Sequence, residues 1–322
     1  MKLSVLSNLY GDRPLADVLA HFRDLGVEKI EIGCGGYPGK AHCDPDVLLN
    51  DDGKLEEFRA LFAEYGIGIC ALSCHGNAVH PNKEIAAAFD RDFRNCVLLA
   101  EKLGVDTIVT FSGCPGDSPE AKYPNWVTCP WPGDFLKILE YQWNEVLIPY
   151  WKEAAAFAEA HNVRRIAFEM HPGFCVYNPE TCLKLRNAVS PILGANLDPS
   201  HLLWQGIKPA NAIRYLGDAI YHVHAKDTKI DEINTAANGV LDTKHYSDEI
   251  HRAWVFRTVG YGHDEAFWRD FVDNLRLVGY DRVLSIEHED SLMSIDEGLE
   301  KAVHFLKPIL MRDPKPGTMG WA

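Results

Sequence analysis

The stretch Arg165-Ile-Ala-Phe-Glu-Met-His171 runs as an apolar strand and then ends abruptly in a carboxylate and an imidazole. Helix-period segments flank it at residues 151–161 and 179–188, so it reads as the strand of an α–β–α alternation. Working outward, the alternation continues to both ends of the chain. Short apolar, β-branched runs begin near Leu3, Lys29, Gly68, Thr107, Arg165, Gly194, Ala219 and Arg282. Further helix-period segments lie at 14–25, 54–65, 92–103 and 264–278, and Gly26, Gly66, Gly104, Asn162 and Gly279 stand where helices would end. Eight strands alternating with helices predict a parallel sheet, and eight is the number that closes a (β/α)₈ barrel. The competing open, doubly wound sheet needs a Gly-rich phosphate turn after an early strand. Gly33-Cys-Gly-Gly36 lacks the spacing and the helix start for one. The expected organisation is one barrel domain over residues 1–312 and an irregular tail over 313–322.

The chain has 322 residues, long for one domain but ordinary for such a barrel. Apolar residues make up 47% and charged residues 24%, as in a globular protein with a sizeable core. The net charge is 32 − 46 = −14, which repels phosphate backbones and argues against nucleic acid as a partner. Met1-Lys2 leads directly into an apolar strand without a signal pattern, and no stretch approaches the roughly 18 to 20 apolar residues that span a bilayer. Nine scattered cysteines, with no CxxC pair, read as reduced thiols. A cytoplasmic protein without a membrane partner is expected.

The intervals between strand starts are longest after the fourth and seventh strands. Both excesses fall on the βα side, at the barrel mouth. The first, about 114–133, carries Trp126 and Trp131. The second, about 228–263, carries Tyr246, Trp254, Arg257 and Gly260-Tyr-Gly262. Long aromatic mouth loops suit a substrate lid, and equally a contact in a homo-oligomer, here expected to be a dimer or tetramer.

Chemistry collects at the C-terminal ends of the last four strands. The sixth reads Ala195-Asn-Leu-Asp-Pro-Ser-His201. The seventh reads Ala219-Ile-Tyr-His-Val-His-Ala-Lys-Asp227, and the eighth Val283-Leu-Ser-Ile-Glu-His-Glu-Asp290. Period two puts Glu169 with His171, His222 with His224 and Lys226, and Glu287 with Glu289, on shared strand faces. Carboxylates that converge inside a barrel need a compensating charge. No arginine stands at these strand ends beside the carboxylates, so a divalent cation is expected. Oxygen and nitrogen donors suit Mn²⁺ first, with Co²⁺, Mg²⁺ or Zn²⁺ as alternatives. His75, ending the third strand, is a candidate for acid/base work or substrate contact as much as for a structural hydrogen bond, and so is His171. Lys226 donates to a substrate oxygen or pairs with Asp227. His222 reads as packing below His224, and Glu31 as a structural partner of a site histidine or a lysine. Trp126 is a candidate to stack on a sugar face.

The order Glu on the fifth strand, Asp-x-x-His on the sixth, His-x-His-x-Lys-Asp on the seventh and Glu on the eighth resembles the xylose-isomerase-like TIM barrel superfamily of sugar phosphate isomerases and epimerases. That group also includes endonuclease IV, inosose dehydratase and the ketose 3-epimerases. The resemblance covers roughly residues 2–310. It implies that Glu169, Asp198, His224 and Glu287 hold one divalent metal, that His201 holds a substrate oxygen or a ligand, and that Arg257 binds substrate. Ketose 3-epimerases carry a second glutamate about six residues beyond the strand 5 ligand, where this chain has Cys175. The expected activity is therefore isomerisation or epimerisation of a sugar or keto sugar through an enediolate, with Glu169 and Glu287 as proton carriers. β-Elimination from a 3-keto sugar or glycoside is the alternative, and phosphodiester hydrolysis at abasic DNA a more distant one.

Overall fold

A computed structural model describes residues 1–317. Eight parallel strands close into a barrel: β1 (Lys2–Leu6), β2 (Lys29–Gly33), β3 (Gly68–Ser73), β4 (Thr107–Thr110), β5 (Arg165–Glu169), β6 (Leu193–Leu197), β7 (Ile220–Ala225) and, after two further strands, β10 (Val283–Ile286). The closing pair is β1 with β10, in register from Lys2↔Val283 to Val5↔Ile286. Each predicted strand start lies within one residue of the observed one.

The helices form because their apolar residues recur at three- and four-residue spacing and their ends are capped. In Lys83–Leu103, Phe93, Cys96, Val97 and Ala100 face the barrel, Asn82 caps the first turn through Glu84 N and Ile85 N, and Gly104 ends the helix at φ 69. This helix begins nine residues before the predicted start, because the Asn82 cap precedes an Ala-rich turn of weak amphipathicity. Gly26, Gly66, Asn162 and Gly279 also adopt positive φ. The main core lies between strands and helices, where Phe22, Phe168, Trp268 and Phe271 are almost wholly enclosed. Each such side chain contributes about 1.5–3 kcal/mol by burial.

Inside the barrel the filling is polar. Glu31, Ser73, His222, His224 and Ser285 are all buried there. Glu31 accepts from His222 Nε2 at 2.7 Å, from Ser285 Oγ at 2.7 Å and from Ser73 Oγ. The reading of His222 and Glu31 as support for the site agrees with this arrangement.

Both mouth excursions are more regular than loops. The first is irregular only to Gly133. The helix Asp134–Tyr141 then passes through a wider π-type turn, Gln142–Leu147, into Ile148–Ala160, so the helix expected at 151–161 is the end of a longer one. The second holds the antiparallel pair β8 (Asp227–Ile230) and β9 (Trp254–Arg257), with Glu232–Asn238 helical between them. Trp254 stacks on Trp204, centroids 4.7 Å apart, and anchors the hairpin. No helix among the described residues is long and apolar enough to cross a membrane. Residues 313–317 of the expected tail are irregular, and 318–322 lie outside the described residues.

Candidate metal centre

The ends of β5, β6, β7 and β10 bring Glu169, Asp198, His224 and Glu287 together. One oxygen or nitrogen from each lies within 4.8 Å of all the others. His224 Nδ1 stands 3.1 Å from Glu287 Oε2 and 3.4 Å from Glu169 Oε2. Its other nitrogen, Nε2, lies 3.0 Å from Glu31 Oε2 and 3.1 Å from Glu31 Oε1. Glu31 thus accepts a hydrogen bond from Nε2 and aims Nδ1 at the carboxylates, where it becomes a ligand atom once its proton is displaced, as carboxylates behind ligating histidines arrange. His224 Nδ1, Asp198 Oδ2 and His201 Nε2 are buried, and none satisfies hydrogen-bond geometry with any described residue. Three buried polar atoms that make close charged contacts but no well-formed hydrogen bond, in a cluster with three carboxylates, fit a divalent cation.

Glu169 sits at the hub. His75 Nε2 lies 3.0 Å from its Oε2, and His201 Nε2 lies 3.0 Å from its Oε1. Burial opposes its charge, but these contacts and that with His224 hold its pKa well below the usual range. Burial pushes Asp198 up to about 7, despite Lys226 nearby. Glu287 is held at about 2, Lys226 and His224 outweighing burial. Burial lowers His201 to about 3 and also lowers His171, so both rings stay neutral. Their centroids are 4.0 Å apart.

Lys226 is placed differently from one of its two expectations. Its Nζ does not pair with Asp227. It bonds Glu287 at 2.8 Å and Glu289 at 2.9 Å, and lies 3.2 Å from Asp198 Oδ2. Asp227 is instead claimed by the 260–263 turn: it accepts from Gly260, Gly262 and His263 N–H groups and from His263 Nδ1. One ammonium sits among the carboxylates, although a single charge does not balance three or four.

His171 lines two adjoining cavities at the mouth. One, of about 400 Å³, is shared with Tyr246, Arg252, Phe256 and Glu289. The other, of about 380 Å³, is shared with Trp126, His201, Trp204 and Trp254. Trp126, edge-on to Tyr177, is therefore brought to the site. Arg257 is not among the residues lining either cavity; its Nε donates to Asp290 Oδ2 at 3.0 Å. Cys175 is buried behind the mouth and does not line the cavities. Sequence reasoning missed Arg252, whereas Glu289 lies beside Glu287 as its shared strand face implied. Arg252 lies two residues before the alternation Trp254-Val-Phe-Arg257, which was the available signal for a strand.

An eight-stranded parallel barrel with a carboxylate–histidine cluster at its C-terminal mouth has the architecture of the barrel enzymes, whose active sites sit at that face. The xylose isomerase-like TIM barrel family model matches residues 19–309, and the chain belongs to that family. The uncharacterized protein YfiH of Bacillus subtilis is 41% identical over 310 residues, covering 95% of this chain and 98% of its own. The fold is shared with the probable 3-DHS dehydratase AsbF of Bacillus anthracis (TM-score 0.63, 16% identity, 95% and 98% covered). It is shared too with the IolI protein solved with a zinc atom (TM-score 0.64, 20% identity, 96% of each chain).

Proposed function

We propose that the protein is a divalent-metal-dependent isomerase or epimerase of a sugar or keto sugar. The observation that carries this reading is the meeting of Glu169, Asp198, His224 and Glu287, with one ligand atom of each within 4.8 Å of the others. The zinc atom bound in the IolI structure supports a metal in a barrel of this fold, and the donor set suits manganese. Held by these four residues, a dication supplies Lewis-acid polarisation of neighbouring substrate oxygens.

The chain's own groups do the rest. Glu169 and Glu287 come from different strands and flank the same space, so one carboxylate takes a proton from the carbon beside the carbonyl and the other, or the same one, returns it. Return to the opposite face gives an epimer, and return to the neighbouring carbon an isomer. His75 positions Glu169 through its 3.0 Å contact. Lys226 keeps Glu287 ionised and so ready to accept. Trp126 and the aromatic hairpin narrow the mouth against water.

Elimination is the second reading. Cys175 stands where ketose 3-epimerases carry a gripping glutamate, and His171 stands at the cavity wall, where its N–H can hydrogen-bond a departing oxygen. The dehydratase fold relative supports keeping it. Manganese-loaded protein incubated with keto sugars in D₂O separates the two. Deuterium beside the carbonyl without loss of a group is the expected result. Release of water or aglycone favours elimination, and absence of both overturns the proposal.

A further inference from the structure

Three lysine or arginine side chains are buried among the described residues: Lys226, Arg252 and Arg276. Lys226 has three carboxylates and Arg276 has Asp281 at 3.2 Å. Arg252, only 2% exposed, has no carboxylate oxygen within 4.0 Å among the described residues. A guanidinium taken from water without a counter-charge is costly, and chains keep one where a ligand supplies the charge.

Arg252 is also held rigidly. Its Nε donates to Trp254 O at 3.2 Å and its Nη1 to Lys244 O. Its guanidinium carbon lies 4.4 Å from the Tyr246 ring centroid and 4.6 Å from that of Trp254. Nη2 has no hydrogen-bond partner among the described residues. The side chain lines the same cavity as His171 and Glu289. Glu289, the acid of that cavity, is already tied to Lys226 at 2.9 Å. A fixed cation with a spare donor edge therefore faces the space beside the carboxylate cluster. Arg257, the arginine expected from the sequence, is already paired with Asp290.

We propose that Arg252 selects the substrate by binding a carboxylate on it, so that the enzyme acts on an acidic keto sugar in preference to a neutral one. This rests on the reading of the adjoining cluster as a keto-sugar site. The planar guanidinium edge matches a carboxylate in two parallel hydrogen bonds. The cavity has one such cation and no Gly-rich turn, which favours a carboxylate over a phosphate.

The test is calorimetric binding to manganese-loaded wild type, Arg252→Gln and Arg252→Lys, with each variant's unfolding midpoint recorded. The probes are 2-keto-D-gluconate, D-fructose and D-fructose 6-phosphate. Wild type is expected to bind the keto acid roughly 10- to 100-fold more tightly than D-fructose. Arg252→Gln is expected to lose that preference, and Arg252→Lys to keep part of it. Equal affinity of wild type for acid and neutral ketose overturns the proposal. So does an equal loss for both in Arg252→Gln, which makes the residue a packing element of the hairpin. Tightest binding of the phosphate overturns the assignment of a carboxylate. Acid-selective binding without proton exchange in D₂O upholds Arg252 and sinks the isomerase reading; exchange on neutral ketoses without acid preference does the reverse.

Discussion

Glu31 and His224 form a fixed pair in the barrel interior: both Glu31 oxygens lie within 3.1 Å of His224 Nε2. His222, Ser73 and Ser285 hold the carboxylate from its other sides, so it cannot rotate away. The proton on Nε2 is thereby fixed, and Nδ1 is left as the ligand atom.

Glu31→Gln loses this control. The amide offers an N–H as readily as an oxygen, and one orientation drives the His224 proton onto Nδ1. Metal affinity is expected to fall roughly 10- to 100-fold while the barrel persists. Competition titration against a coloured chelator, with circular dichroism as the folding check, measures it. Unchanged affinity removes Glu31 from the account.

Metal binding is expected to strengthen with pH. Burial lowers the His224 pKa, but Glu31 and Glu287 outweigh it and raise the value well above the ordinary 6.5, so without metal the ring is protonated at neutral pH. Asp198, up at about 7, holds a second proton part of the time. A cation must expel both, so affinity rises roughly tenfold per pH unit for each proton displaced. Folding has the opposite sign. The raised His224 contributes stability that is full below 6.5 and is lost as pH rises through its folded-state value. Calorimetry in buffers of different ionisation enthalpy counts the protons, and a count of zero from pH 6 to 8 contradicts the charge assignment.

Lys226→Met leaves Asp198, Glu287 and Glu289 without their shared ammonium. Breaking a buried ion pair from one side costs about 3–5 kcal/mol. The metal-free variant is expected to lose that much stability in urea unfolding. The loss shrinks when metal is added, because a dication replaces part of the missing charge. An equal loss with and without metal shows that no cation shares these carboxylates.

Gly36→Ala tests how the mouth is shaped. Gly36 sits at φ 61, and a Cβ there would lie 1.9 Å from the His75 carbonyl oxygen. The backbone cannot yield without moving His75, whose ring touches Glu169. A loss of about 1–3 kcal/mol in stability is expected, together with slower proton exchange. Wild-type behaviour in both shows that the approach is loose.

The barrel was legible because its signal is distributed. Eight apolar runs and their helix-ending glycines all agree, so a missed Asn82 cap shifts one boundary and leaves the count intact. Glu169, Asp198 and Glu287 stood out because each ends an apolar run, where a charge is out of place, and the resemblance to the family's strand order added His224. Lys226 was assigned partly to Asp227 because adjacency in sequence says nothing about strand faces: the two point to opposite sides of the chain. Arg252 was hidden because its role depends on how the excursion over 228–263 folds back, which alternation in four residues of β9 barely marks.

The central claim is that the cluster at the barrel mouth holds one dication, and metal content tests it most directly. Purified wild type and the His224→Ala and Glu287→Ala variants are dialysed against Mn²⁺ and then metal-free buffer, and assayed by mass spectrometry. About one ion per wild-type chain is expected, falling at least tenfold in folded variants. Variants that fold and retain the wild-type content contradict it.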